Sequence, residues 1–540
     1  MQKDQRQVLL ALLAISAIVF WMFIPANQTG AQDANMLALF EVDEYAQYPH
    51  LVRMLTPGET LLQTLRNFLV YQHYFYGYPF YFFSALLALP VKLALGSGWA
   101  GQTHILVTAL RQLVNVLPMM AALLLLVWMH TRFRPLWKAA GLYLLLLSVP
   151  GVVANNLWWH PDSLVFLFVV LTLFFLDRDD LRFGRNFFLA AAACGLAAGT
   201  KYLGLLFVLA VPLYLAWGLR AGRLRIGRAA LLGAGFVAVM AAAFVLANPL
   251  LLLPQERAEI VAVQRLQFVQ TGTGVFLAND APLLAEGYPE DLRIHYGELY
   301  FVLLGFAALA MGLFNPERRR LNALTLAWLI PITVVVLTAG TRRTHYFLPV
   351  LLPVYAAFAN FFPTLGGLTA RLSGGLRRAI PAALMLGLVV QVGLFARTDL
   401  QLLRAQLSRE ATSASLHFTQ QVRAYVLAGL PVPPEVVYRD WRVYFPSQSG
   451  QQVEMNWELA SYPLMEALRP QLVLLERENV ALFSQAFVMD RAVDRGNMAA
   501  THAFYGDAAR ETLKGYRLVY TDDFGMAFVS DALAQYFRWR

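Results

Sequence analysis

Long apolar runs separated by short charged loops occupy the first three quarters of the chain. Residues 8–25 are apolar after Lys3 and Arg6. A secretory signal peptide has a shorter apolar core, about 7–15 residues. The run therefore predicts an uncleaved first span with its N-terminus in the cytoplasm. Ten further runs predict spans at 103–129, 136–154, 163–176, 186–200, 202–219, 229–251, 297–314, 321–339, 346–362 and 379–396. Some of these are short and need flanking residues to cross about 30 Å of hydrocarbon. Residues 80–95 are also apolar, but counting them as a span would turn the basic run Arg132, Arg134, Lys138 outward. They are read instead as a helix lying in the outer interface.

Charge fixes the expected topology. With this assignment the inner loops of residues 1–396 hold 18 Lys+Arg and 5 acids, and the outer side holds 10 and 13. That is the asymmetry the positive-inside rule requires. Hydrophobic residues make up 58% of the chain and charged residues 14%, against about 25% charged in soluble domains. A water-soluble enzyme, a disordered chain, a collagen and a coiled coil are all excluded. The single cysteine, Cys194, excludes a disulfide framework and a Cys-based zinc site. The net charge of +9 resides in the membrane part, so it reports topology and predicts no nucleic-acid partner.

Charge density steps up from 46 of 396 residues to 31 of 144 beyond residue 396. The expected organisation is a transmembrane domain over 1–396 and an extracytoplasmic α/β domain over 397–540. Strand-like runs at 436–438, 472–475, 517–520 and 526–530 support the second unit. Two long outer segments, 26–102 and 252–296, interrupt the spans. Within the second, 256–270 predicts an amphipathic helix followed by a flexible Thr271-Gly272-Thr273-Gly274. Connections this long are usually functional or disordered. No internal repeat is visible.

Charges at membrane depth are costly and mark function by default. Here they gather at the outer ends of spans. Asp43 and Glu44 follow the first span. His160-Pro161-Asp162 lies between the third and fourth, and Lys201 between the fifth and sixth. Arg342-Arg343-Thr344-His345-Tyr346 precedes the tenth, and Arg111 is near the outer end of the second. Each also has a structural use: Asp162 can cap a helix, Lys201 can snorkel, and Arg342-Arg343 can meet lipid headgroups. Their gathering on one face favours a site. No Walker A motif, dinucleotide fingerprint, HExxH or serine elbow is present. Asp177-Arg178-Asp179 spells a metal-binding triplet of soluble nucleotide-sugar transferases, but it falls in a short inner loop and reads as a helix end.

These positions resemble GT-C-fold glycosyltransferases, and more narrowly bacterial relatives of protein O-mannosyltransferases and the lipid A aminoarabinose transferase. The resemblance rests on Asp43-Glu44, Tyr78-Pro79, Leu110-Arg111-Gln112-Leu113-Val114, Trp159-His160-Pro161-Asp162, Gly199-Thr200-Lys201-Tyr202, Asn248-Pro249 and His345-Tyr346-Phe347-Leu348-Pro349 with Pro353, in that order. Many members have two prolines where Tyr78-Pro79 has one. The resemblance implies a multi-pass protein of the cytoplasmic membrane. It would move a sugar from a polyprenyl-phosphate carrier to an acceptor on the outer face, by single displacement with inversion. Asp43 would act as base or orient the acceptor, with Glu44 supporting and Asp162 as a second acid. Lys201, Arg342, Arg343, His345 and Tyr346 would hold the donor phosphate, with Arg111 and His160 as further candidates. The acceptor is a lipid, glycan or protein, and the bilayer is the other partner.

Two other readings stand beside this one. A flippase or transporter would place its charges near the bilayer midplane, usually within a repeat. A non-catalytic scaffold would leave the charge cluster without a purpose. No cofactor is expected, because protein cations already face the phosphate; the alternative is a divalent ion held by Asp43, Glu44, His160 and Asp162.

Overall fold

The structure, a computed structural model, describes residues 2–278, 288–338, 343–361, 374–446, 451–455 and 459–537. The first span is helix α1, Lys3–Gln28, followed by α2 (Ala34–Phe40), α3 (Val42–Leu55), α4 (Leu61–Leu69) and α5 (Tyr78–Leu95). The remaining apolar runs form α6 (Thr103–Thr131), α7 (Leu136–Leu147), α8 (Asp162–Asp179) and α9 (Arg185–Thr200). Then come α10 (Tyr202–Arg220), α11 (Ile226–Ala247), α12 (Pro254–Thr273), α13 (Leu299–Phe314), α14 (Arg319–Thr338), α15 (Leu348–Ala356) and α16 (Gly374–Ser408). Each expected span holds helix over most of its described residues. The chain is a polytopic α-helical membrane protein with a small C-terminal α/β unit.

Among the described residues, seven helices are long and apolar enough to cross a membrane alone, and Pro289–Tyr296 with α13 forms a further pair bent by 69°. Two expected spans are interrupted. The run 136–154 breaks after α7, and a new turn, Pro150–Asn155, starts at a proline, which cannot continue the preceding hydrogen-bond ladder. The run 346–362 is α15 between two 3₁₀ turns, Thr344–Phe347 and Ala357–Asn360.

The stretch Tyr78–Gly101, which opens with α5, is long and apolar enough to cross a membrane, but both ends of α5 are tied to one end of the bundle. The Gly77 amide, just before it, donates to the Thr200 carbonyl at 3.0 Å, at the close of α9. Beyond its other end, the first turns of α6 lie against the close of α1, where Thr108 Oγ1 donates to the Asn27 carbonyl at 3.3 Å. Asn27 Nδ2 in turn donates to the Asn156 carbonyl at 3.1 Å, ahead of α8. A helix whose two ends share one face lies along it. At the opposite end of the bundle, Arg132 pairs with Asp177 at 2.6 Å and Arg320 pairs with Asp180. Asp179 accepts the Phe183 and Gly184 amides at 2.8 and 3.0 Å. The Asp177-Arg178-Asp179 triplet is thus occupied in closing a helix.

Small residues let the helices approach. A Cβ at Gly195 of α9 would lie 2.3 Å from the Met240 carbonyl oxygen of α11, the close backbone contact that small residues permit in membranes. Gly77 is tighter still: its added Cβ would fall 1.6 Å from the Gly199 carbonyl oxygen. Asn248 completes this junction. Its Oδ1 accepts the Tyr78 amide at 3.0 Å and its Nδ2 donates to Gly199 O at 3.1 Å. Residues 77, 199 and 248 therefore lock the segment before α5 onto the ends of α9 and α11.

The C-terminal unit holds a five-stranded sheet, β1 (Val436–Arg439), β2 (Gln452–Met455), β3 (Leu472–Glu476), β4 (Tyr516–Thr521) and β5 (Gly525–Ser530), in the order β2-β1-β3-β5-β4. β1 is parallel to β2 and β3, and β5 is antiparallel to β3 and β4. Four strands lie at the expected runs. β2 was not anticipated, because Gln452-Val453-Glu454-Met455 is a half-exposed edge strand without an apolar run to mark it. The chain after α12 joins this unit: the Ala278 amide donates to Arg491 O at 2.8 Å, and the Val493 amide to Phe276 O at 3.0 Å. The sequence Thr271-Gly272-Thr273, expected to be flexible, continues α12 as helix.

Two outcomes follow from this architecture. Gly77→Ala should sharply reduce the yield of monodisperse protein on size-exclusion chromatography, since backbone and not a flexible side chain blocks the new methyl group; unchanged yield and melting temperature would contradict the junction. A cysteine introduced at exposed Glu511 should react with an impermeant maleimide on intact cells, the native Cys194 being buried. Labelling only after permeabilisation would reverse the orientation.

Candidate active site

The first turn of α3 carries Asp43 and Glu44. Acidic side chains are favoured at a helix N-terminus, and successive helical residues point about 100° apart. Asp43 and Glu44 therefore diverge. Asp43 lies on the wall of a cavity of about 1130 Å³, with its side chain 37% exposed. Glu44 turns inward and is fully buried.

Arg111 explains where Glu44 goes. It opens a π-helical turn, Arg111–Val116, a distortion often found at functional sites. Its Nε and Nη2 donate to the two carboxylate oxygens of Glu44 at 2.8 and 2.6 Å, the bidentate geometry that suits guanidinium to carboxylate. Nη1 donates to the carbonyls of Asn27 and Thr29 at 2.8 and 2.9 Å. The Trp159 amide adds a third bond to Glu44 Oε1, at 2.6 Å. Glu44 and Arg111 are thus fully paired beneath the cavity, and neither lines it.

The other expected residues converge. Asp162 opens α8 directly after Pro161, and His160 Nδ1 touches its Oδ2. Lys201, in extended backbone at the close of α9, reaches Asp162 Oδ1 at 2.9 Å. His345 Nε2 stands 3.7 Å from Asp162 Oδ2, and the Lys201 ammonium lies 4.4 Å from the Tyr346 ring centre. His160 bridges to the acid on α3, its Nε2 being 3.8 Å from Asp43 Oδ2. Trp158 stacks on His160 with centroids 4.1 Å apart and planes at 15°. Asp43, His160, Lys201, Arg343, His345 and Tyr346 line the same cavity. Arg343 is exposed and has no carboxylate partner among the described residues. Arg342 lies outside the described residues.

Environment sets the charge of each group. Burial pushes the His160 imidazole below its usual value, against the pull of Asp162. Burial also holds His345 well below the usual value, again opposed by Asp162. Both rings are neutral near pH 7. Burial works against the Lys201 ammonium too, but Asp162, aided by Tyr346 and Asp43, outweighs it and raises that pKa. A neutral His160 with its proton on Nδ1, toward Asp162, leaves Nε2 to accept from the Tyr76 hydroxyl at 2.7 Å.

His160, Asp162 and His345 each offer a ligand atom, all within 4.8 Å of one another. Two imidazoles and a carboxylate suit a borderline divalent cation. The Lys201 ammonium already occupies one oxygen of that carboxylate, so a metal ion there would face its charge.

Several lining residues were not anticipated. Tyr74, Tyr76 and His73 come from the run Tyr71-Gln72-His73-Tyr74-Phe75-Tyr76-Gly77-Tyr78, whose density of polar-tipped aromatics in a loop was the available signal. Burial pushes His73 down to about 3, and its Nδ1 meets the Tyr81 hydroxyl at 2.5 Å. Tyr74 bonds to Glu256 of α12, and Gln264 Nε2 donates to the Tyr74 carbonyl at 2.6 Å. Helix α12 thereby closes one side of the cavity.

No family model and no curated protein matches the sequence. Solved structures do. ArnT from Cupriavidus metallidurans in the apo state aligns at a TM-score of 0.52 with 14% identity, over 98% of this chain and 99% of that one. The apo oligosaccharyltransferase of Archaeoglobus fulgidus aligns at 0.51 with 13% identity, over 91% of this chain and 72% of that one. At such identities the likeness is one of fold. It extends from the transmembrane helices through the C-terminal unit, and it identifies the architecture: the chain has the GT-C fold.

Proposed function

We propose that this protein transfers a sugar from a polyprenyl-phosphate carrier to an acceptor hydroxyl, on the outer face of the cytoplasmic membrane. The observation that carries the reading is the opposition of one accessible carboxylate, Asp43, to a set of cationic and neutral donors across a single cavity. A displacement at an anomeric carbon needs both. The acceptor oxygen attacks as its proton passes to a base, and the bond from the anomeric carbon to the phosphate oxygen breaks with its electron pair on the phosphate.

Asp43 takes the proton or holds the hydroxyl in line. Arg343, with Arg342 beside it in sequence, offers planar donors to the phosphate, whose charge grows as it leaves. Lys201 supplies a point charge, and the His345 and Tyr346 side chains supply hydrogen-bond donors. Asp162 fixes Lys201 and His160 and makes no contact with substrate. Glu44 and Arg111 hold the turn on which Asp43 stands. The exposed apolar side chains Phe82, Leu86 and Leu93 of α5 offer the lipid tail a surface. Displacement from the face opposite the phosphate inverts the anomeric centre.

Three results test this reading in detergent with a synthetic polyprenyl-phosphate sugar. Asp43→Asn should lower kcat by about 10²–10⁴-fold, the usual contribution of a general base, with the protein still monodisperse. Near-normal turnover would remove Asp43 from the role. Arg343→Lys keeps the charge but loses the planar fork, so turnover should drop markedly; a silent substitution would point to a generic headgroup contact instead. EDTA should leave turnover intact, because Lys201 already neutralises Asp162. Loss of turnover that a divalent ion restores would reassign His160, Asp162 and His345 to a metal.

A further inference from the structure

Two arginines grip the chain on either side of Asp43, one within a span and one just past the end of the last long helix. Arg111 holds Glu44 from α6. Arg409, the first residue after α16, holds Glu41 through an Nη1 contact of 3.0 Å to Oε1. Glu41 sits between α2 and α3, two residues before Asp43. Its backbone is the point at which the chain turns into the helix that carries Asp43.

The two arginines meet. The Thr29 carbonyl accepts Arg111 Nη1 at 2.9 Å and also accepts Arg409 Nη2. Arg409 Nε reaches Thr29 Oγ1 at 3.1 Å, and its guanidinium lies over the Phe40 ring at 4.8 Å. Gly30 makes room: a Cβ there would lie 2.5 Å from the Arg409 guanidinium, and its φ is +68°. The same stretch is fastened further to the C-terminal unit. Tyr444 donates to Asp33 Oδ2 at 2.7 Å, and Arg439 Nη2 to Asn35 Oδ1 at 3.1 Å. The Gly30 amide donates to Glu410 at 2.5 Å.

We infer that Glu41 and Arg409 are positioning residues for Asp43, through which the C-terminal unit sets the geometry of the membrane site. This inference rests on the proposed role of Asp43. The physical reason is leverage. Without the Arg409 contact the nearest ties on the outer side are those of Asp33 and Asn35 around the start of α2, and at α3 itself the Glu44–Arg111 anchor remains. The helix start can then rock about that anchor and swing Asp43 across the cavity wall. Small displacements at a reacting centre are costly, on the order of 10²-fold for 1 Å. Arg409 touches neither the cavity nor Asp43, so its removal should leave donor binding as it was.

The test is a double-mutant cycle on kcat, made on full-length protein in detergent with a synthetic polyprenyl-phosphate sugar. Glu41→Gln and Arg409→Lys should each lower kcat by about 10-fold or more, with donor KM within about 2-fold of normal. Combined, they should cost clearly less than the sum of the two, since both break the Glu41–Arg409 contact. In an Asp43→Asn background neither should lower kcat by more than about 2-fold, because the group they position is gone. Full additivity with Asp43→Asn, or a rise in KM with kcat preserved, would overturn the inference. Arg409→Lys keeps the stem and charge and guards against a folding defect, and only variants matching wild-type elution are compared. If wild-type protein transfers no sugar, the proposed function fails and the inference fails with it. If wild type transfers and the cycle is additive, only the inference fails.

Discussion

The buried pair of Arg111 and Glu44 is the constraint on which the site depends. Both side chains are fully buried, and taking two charges out of water costs several kcal/mol per ion. That cost is offset only when every donor and acceptor is used. Here Arg111 gives two bonds to Glu44 and two to carbonyls at the close of α1. Glu44 takes a further amide from Trp159. One ion pair therefore ties together α1, α3, α6 and the loop that delivers His160. Removing a single partner would strand the other charge, typically at about 3–5 kcal/mol. The pair earns its place by fixing geometry: the residue before Glu44 faces the cavity, and the residue after Trp159 is His160.

From that anchor the rest of the site follows by short connections. His160 carries the arrangement to Asp162, and Asp162 carries it to Lys201 and His345. The Gly77–Gly199–Asn248 junction then brings the aromatic run of residues 71–78 against the same elements. The Gly199–Lys201 and Asn248 motifs of the sequence resemblance have a mechanical reason in this frame. Gly77 leaves room for the Gly199 carbonyl, Gly199 leaves room for Asn248, Asn248 bridges the two, and Lys201 follows at once. A few close approaches and one ion pair fix the helices, while apolar surfaces tolerate exchange.

Much of this was legible in the sequence. The spans could be read because a bilayer demands long apolar runs; the segment of α5 is itself long and apolar enough to be one, and its two tethered ends set it apart. The clustering of Asp43, His160, Asp162, Lys201 and His345 could be read because charges near the membrane need a reason. Partner choice was not legible. Asp43 and Glu44 are neighbours of the same class, and only the position of Arg111 separates the exposed acid from the buried one. Tyr76 and Glu41 were missed for a related cause: a tyrosine in an aromatic run and a glutamate in a polar loop look unremarkable until folding places His160 and Arg409 beside them. The breaks at Pro150 and around α15, and the edge strand β2, were hidden because hydropathy averages over local backbone geometry.

The central claim is that the cavity holds the phosphate of a polyprenyl carrier against its cations while Asp43 faces the anomeric carbon. Cryo-electron microscopy of the protein with a non-hydrolysable polyprenyl phosphonate sugar tests this most directly. The account predicts phosphonate density in contact with Arg343 and Lys201, with the sugar between it and Asp43. Density for the headgroup on the opposite end of the bundle, beside Arg132 and Arg320, or a sugar turned away from Asp43, would contradict it.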